Sequence, residues 1–197
     1  KKNYSFYPVK KIVNQRKENV SFIGFNSESL IIYRATELNS SEDYFFVNDT
    51  NPQTTTAPFK IKISDIGRTY FAPNLSSDKE KIVYANNLDN NIYLYNTVTE
   101  KEIKITSNNN INDYPCFSPD DSKIVFYQNG KLYITDINGD NLTKIVDEAN
   151  GAPYWINDSI YYISYNSNDS KYKINKYDTV NKTNIKIFED SSQISSP

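Results

Sequence analysis

A chain of 197 residues, 38% of them apolar, is long enough to enclose one sizeable core. Its formal net charge of −2, without a Lys/Arg cluster, gives no bulk attraction to nucleic acid. There is no histidine, which excludes Ser–His–Asp and Cys–His catalysis within the chain and removes the commonest zinc ligand; no apolar run is long enough to cross a bilayer as a helix.

From the start, residues 1–19 do not make a complete structural copy. Tyr7–Val13 reads as one extended segment, the outer strand of a preceding unit or a tail. Val20–Phe25, Leu30–Tyr33, Tyr44–Val47 and Phe59–Ile63 read as four short strands. The polar stretch 48–58, with Pro52 and Pro58, is a surface loop between the last two. Arg68–Leu75 opens a second set, continued by Ile82–Ala85, Ile92–Tyr95 and Ile103–Thr106.

The third set, Asp113–Val146, is the sharpest. Tyr114–Phe117, Ile124–Tyr127, Leu132–Thr135 and Leu142–Val146 are separated by turn residues. Asn129-Gly130 is a two-residue hairpin signal, because a type I′ turn needs positive φ at both central positions. Trp155, Ile160–Ile163, Tyr172–Tyr177 and Ile185–Phe188 form a fourth set. With only 5 glycines, Asn and Asp must supply most left-handed turn positions.

The sets repeat. Phe25, Phe71 and Phe117 are spaced 46 residues apart, and Trp155 follows 38 later. Four strands at a period of roughly 40 residues are the signature of β-propeller blades. The blades run over about 20–63, 68–106, 113–146 and 152–188, with 1–19 as a strand or tail of a preceding blade and 189–197 as the start of a next one.

Pro115-x-Phe117-Ser118-Pro119-Asp120-x-x-Lys123-Ile124-x-Phe126, followed by Leu132-Tyr133-Ile134-x-Asp136-x-x-Gly139, resembles the repeat of TolB-like (WD40-like) β-propellers. In the second blade Thr69 replaces the first proline and Ala72-Pro73-Asn74 stands for Ser-Pro-Asp. The fourth keeps Pro153 and Trp155; the first keeps Phe25 and Glu28. Ile160–Ile163 and Lys171–Ile174 are similar to repeats on secreted proteins of low-GC Gram-positive bacteria. The resemblance implies an all-β fold of four-stranded antiparallel blades. Four full blades are fewer than the six or more that close such rings, so a larger ring is expected, and a homodimer if the ring is incomplete. It also implies an extracytoplasmic site of action, secreted or at the cell surface, with a signal segment upstream of these residues.

Two acidic clusters invite a catalytic or metal reading. Asp120-Asp121 is read as a hairpin turn, since glycosidase carboxylates must face each other across a cleft. Asp136-x-Asn138-Gly139-Asp140 has its glycine too early for an EF-hand loop and lacks the closing Glu, so it too is read as a turn. Cys116, the one cysteine, is expected as a small buried thiol in a first strand. No catalytic residue, metal or cofactor is expected.

Arg68, Tyr70, Asp113, Tyr114 and Tyr154 lie at or just before first strands, where a propeller approaches its channel; aromatic and Arg side chains are the usual anchors of interfaces. They are the candidate ligand-binding residues. Two readings follow. One is a non-catalytic binding or scaffold propeller for a protein, a peptide or a cell-wall glycan. The other is the substrate-gating propeller of a larger prolyl-oligopeptidase-type serine hydrolase whose catalytic domain lies outside this chain.

Overall fold

The structure, a computed structural model, describes the backbone of residues 17–25, 31–37, 43–48, 59–64, 73–86, 89–96, 98–99, 101–168 and 170–190, and side chains from residue 73 onward. Tyr7–Val13, the loop over 49–58, Arg68, Tyr70, Phe71 and Ser195–Pro197 fall outside the described residues. The described residues contain no helix.

Each copy is a four-stranded antiparallel meander. The first sheet is β1 (Lys17–Phe25), β2 (Ile31–Glu37), β3 (Asp43–Asn48) and β4 (Phe59–Ser64), and the second is β5 (Asn74–Leu75), β6 (Lys81–Asn86), β7 (Asn91–Asn96) and β8 (Lys101–Lys104). The third is β9 (Asn112–Phe117), β10 (Lys123–Gln128), β11 (Lys131–Asp136) and β12 (Thr143–Val146), and the fourth is β13 (Tyr154–Ile156), β14 (Ser159–Asn166), β15 (Lys171–Asp178) and β16 (Thr183–Asp190). In every sheet the strands stand in chain order, each antiparallel to the next. The chain divides into two compact units, Lys1–Gly67 with the first sheet and Arg68–Pro197 with the other three.

Three expectations are corrected. Residues 17–19 belong to β1, paired with the far end of β2 through Lys17↔Glu37, and not to a preceding strand. The last strand of the second copy ends at Lys104, not Thr106. Ile105 and Thr106 both turn their N–H groups to the Ile92 carbonyl, the Thr106 hydroxyl accepts from the Ile92 N–H at 2.9 Å, and Ile105 drops into the core.

The third correction concerns the repeat itself. Leu75 pairs with Ile82 as Phe117 pairs with Ile124, and Asn74 with Val83 as Cys116 with Val125. The equivalent of Phe117 is therefore Leu75, 42 residues earlier, and not Phe71. Pro73 stands for Pro115, and Ser76-Ser77-Asp78 for Ser118-Pro119-Asp120. The two turns match bond for bond. The Ser76 and Ser118 N–H groups donate to the Lys81 and Lys123 carbonyls, and their hydroxyls engage Asp78 and Asp120. Lys79 and Asp121 take the left-handed position, with φ of 62° and 57°. Aromatic spacing misled because leucine replaces the aromatic here. In the fourth copy, Trp155 pairs with Ile160 and does hold the Phe117 position.

The core of the second unit follows from strand alternation. Ile124, Val125 and Phe126 are all fully buried, so β10 has no solvent face. Ile124 and Phe126, with Phe117, pack against Val83, Ala85, Ile92 and Leu94 of the second sheet. Val125 and Leu132 pack against Ile160, Tyr162 and Tyr177 of the fourth. A strand buried on both faces needs a continuous apolar run, which is what Ile124–Tyr127 is. The last strands β8 and β16 are largely exposed; Ile185, Ile187 and Phe188 of β16 are each about half accessible, at 54%, 54% and 49%. The Asn-rich connector into β9 is held by Asn112, fully buried, whose amide donates to the Asn90 carbonyl at 2.7 Å and accepts from Gln128 at 2.6 Å. The hairpin at Asn129-Gly130 has φ of 47° and 82°, as a type I′ turn requires.

Candidate functional site

Within the second unit the first strands β5, β9 and β13 are neighbours. The Phe117 N–H donates to Asn74 Oδ1 at 3.0 Å. Asn74 and Cys116 are equivalent positions, as are Phe117 and Trp155. Cys116 donates its S–H to the Phe117 carbonyl at 3.4 Å, and the backbone N–H of Trp155 favours its thiolate form. Burial pushes its thiol up from its ordinary value, against the opposing pull of the Trp155 N–H, so it is not poised as a thiolate.

One residue before Cys116, β9 is irregular. The pairing of Val125 with Cys116 and of Tyr127 with Asp113 leaves Tyr114 and Pro115 opposite one residue, a β-bulge. Tyr114 sits at φ 51°, a left-handed conformation that costs a bulky side chain on the order of 1–2 kcal/mol. Its ring meets Tyr127 edge-on, with centroids 6.2 Å apart. Beside it, half-buried Asp113 has no hydrogen bond or ion pair among the described residues. Burial alone pushes its carboxyl up to about 6. An unpaired, partly desolvated carboxylate next to an aromatic ring on a strained bulge can receive a cation or a pair of hydroxyl donors.

The structure therefore brings Asp113 and Tyr114 together. Tyr154 is 40% exposed at the start of β13 and holds the repeat position of Cys116, not of Asp113 or Tyr114. Arg68 and Tyr70 lie outside the described residues. The carboxylates of the two acidic clusters are occupied, Asp121 by Ser77 across the junction and the others within their own turns. Asp120 accepts from the Ser118 hydroxyl at 2.6 Å and from the Ser122 N–H, which bring its carboxyl down to about 2. Asp136 is held by Lys123 and by the Asn141 amide, each at 2.6 Å.

A second concavity was not read from the sequence. A groove of about 670 Å³ opens between the third and fourth sheets at the end carrying the β9–β10, β11–β12, β13–β14 and β15–β16 turns. Trp155, Ile134, Ile145 and Tyr177 give it an apolar floor; Asn157, Asp158 and Lys182 are among its polar walls. The sequence signal was present: four residues lie between Trp155 and Ile160, where six lie between the equivalent Phe117 and Ile124.

No protein-family profile matches the chain, and no curated protein matches it by sequence. Solved structures do. A protein assigned as TolB from Agrobacterium tumefaciens superposes with a TM-score of 0.52 at 16% identity, over 83% of this chain and 75% of its own. The β-propeller domain of the trilobed protease from Pyrococcus furiosus, described as having an open velcro topology, gives 0.58 at 15% identity, over 88% and 58%. The acylaminoacyl peptidase of Pyrococcus horikoshii gives 0.62 at 13% identity over 86% of this chain, which spans only 32% of that enzyme. At these identities the likeness speaks to architecture, and with the four repeated meanders it establishes that the chain carries the TolB-like β-propeller fold.

Proposed function

We propose that this chain is a non-catalytic binding and scaffold propeller acting outside the cytoplasm, which takes a protein, a peptide or a cell-wall glycan around Asp113 and Tyr114. The observation that carries the reading is the half-buried carboxylate of Asp113, left without a partner among the described residues beside a strained tyrosine. Keeping such a group desolvated is costly unless something arrives to satisfy it. The absence of histidine from the whole sequence is in keeping with a module that binds and does not hydrolyse. Resemblance of the repeat to secreted TolB-like proteins supports the extracytoplasmic placement.

A ligand amine, guanidinium or hydroxyl pair requires Asp113 ionised, so affinity should strengthen as pH rises through about 6. The test is a calorimetric screen of cationic peptides and of peptidoglycan fragments against the full chain at pH 5 and pH 7.5. Asp113→Asn and Tyr114→Ala should each weaken the ligand found by roughly tenfold or more. Unchanged affinity in both variants would overturn this site.

The second reading is a substrate-gating propeller of a serine hydrolase, and its support is the superposition on the acylaminoacyl peptidase. A Gly-x-Ser-x-Gly motif with Asp and His elsewhere in the same gene would favour it; a cell-wall repeat or secretion signal there would favour the first.

A further inference from the structure

Why a groove opens between the third and fourth sheets is visible in the turns. At the preceding junction, the Ser77 N–H donates to both carboxylate oxygens of Asp121, at 2.9 and 2.8 Å, and its hydroxyl donates to the same group. That clamp draws the β5–β6 turn onto the β9–β10 turn. One junction later, both halves are missing. The equivalent of Ser77 is Pro119, which has no N–H to donate. The equivalent of the Ser118–Lys123 turn is cut to Asn157-Asp158, between the paired residues Ile156 and Ser159, and no Asp121 counterpart exists. The space the longer turn would fill is empty of protein, and Trp155 lines it.

The indole is fixed in place, since its Nε1–H donates to the Asn157 carbonyl at 3.1 Å. Asn157 and Lys182 sit at left-handed turn positions on the groove wall, with φ of 50° and 56°. Two of the three lysines in the groove are already neutralised, Lys123 by Asp136 at 2.6 Å and Lys144 by Asp147 at 2.5 Å. Lys182 and the Asp158 carboxylate have no hydrogen bond or ion pair among the described residues and are opposite in sign; the Asp120 carboxylate, held by Ser118 and Ser122, leaves the lining slightly negative, which disfavours an anionic ligand.

From this geometry we infer that the groove is a binding site for a neutral oligosaccharide, with one pyranose ring against the Trp155 indole and its hydroxyls shared by Asp158, Asn157 and Lys182. A flat apolar ring face rimmed by hydroxyls matches a rigid aromatic floor edged by a carboxylate, an amide and an ammonium. The volume lies within the roughly 300–1,000 Å³ range of small-ligand sites. A peptide strand is the poorer match, because turns and sheet faces wall the groove and offer no backbone ladder to extend. The site is independent of Asp113.

Trp155 is the one tryptophan in the chain, so its emission reports the groove alone. The full chain is titrated with chitotetraose, cellotetraose, tetragalacturonate and a proline-rich hexapeptide, by fluorescence and by calorimetry. Saturable binding of chitotetraose or cellotetraose with a change in emission is the expected result. Trp155→Leu and Asp158→Asn should each weaken it roughly tenfold. A third variant rebuilds the clamp: Pro119→Ser combined with replacement of Ile156–Ser159 by the Ser118–Lys123 sequence. It should melt higher than the parent and no longer bind the sugar. Absence of neutral-sugar binding, binding of tetragalacturonate or the hexapeptide in its place, or binding that survives the rebuilt clamp would each overturn the assignment.

Discussion

At the junction of the second and third sheets, Ser77 and Asp121 close the turn end, Ile105 folds inward, and Gly139 packs against the Ile105 backbone. At the junction of the third and fourth, proline and a two-residue hairpin stand where the clamp would be, and a groove takes its place. Both junctions keep their first strands as neighbours, with the Asn74–Phe117 hydrogen bond at the first of them. The two ends of a propeller junction are thus separable: the first strands stay together, while the turn end can be sealed or opened by two or three residues without loss of the core between them.

The comparison can be broken at its centre first. Phe126→Ala empties a fully buried site that serves the sealed junction and should cost roughly 3–5 kcal/mol in denaturant unfolding. Gly139→Ala tests the seal directly. Gly139 has φ +93°, and an added Cβ would come within 2.5 Å of the Ile105 carbonyl oxygen, so backbone must shift; a loss of about 2–3 kcal/mol is expected. Equal stability of the variant and parent would show that the junction is looser than it looks.

Asp113→Asn should move stability in the opposite sense and only above a certain pH. Burial raises the folded carboxyl from 3.8 to about 6, so the fold favours the protonated form. The native state then binds more protons than the unfolded chain between those values, and stability falls as pH climbs through them. The amide carries no such penalty. The variant should gain on the order of 1–2 kcal/mol at pH 7.5 and nothing below about pH 3.5, read from chemical unfolding at the two values. A gain that is the same at both would mean that charge is not the cause.

Asp121→Asn is the mildest change. Asparagine tolerates the left-handed conformation at this turn and keeps one acceptor, so only the charge and one bond to Ser77 are lost, about 0.5–1.5 kcal/mol. The matching change at the open junction, Asp158→Asn, should leave melting unaltered, because no clamp exists there to weaken.

Much of the architecture was legible because it is written locally. Asn129-Gly130 marks a hairpin through backbone sterics alone, and the apolar run at β10 announces a strand with no wet face. The repeat was legible in outline but was misaligned in the second copy, where Leu75 and not an aromatic precedes the turn. Aromatic spacing measures side-chain type; between the second and third copies the turn serine, whose hydroxyl and N–H are both committed, marks the register more faithfully. Asp113 and Tyr114 were singled out for lying near a first strand, but neither the bulge nor the missing partner has a local signature.

By itself, then, the chain's order of residues determined four antiparallel meanders, their turns, and the impossibility of histidine chemistry, since each depends on neighbours within a few positions or on composition. Only the packing of sheet on sheet decided which turns clamp and which leave a gap, that Asn74 accepts from Phe117 across a junction, and that Asp113 lies in a half-dry place. Those outcomes rest on groups some 40 residues apart meeting across a junction, and no stretch of sequence contains both sides of it.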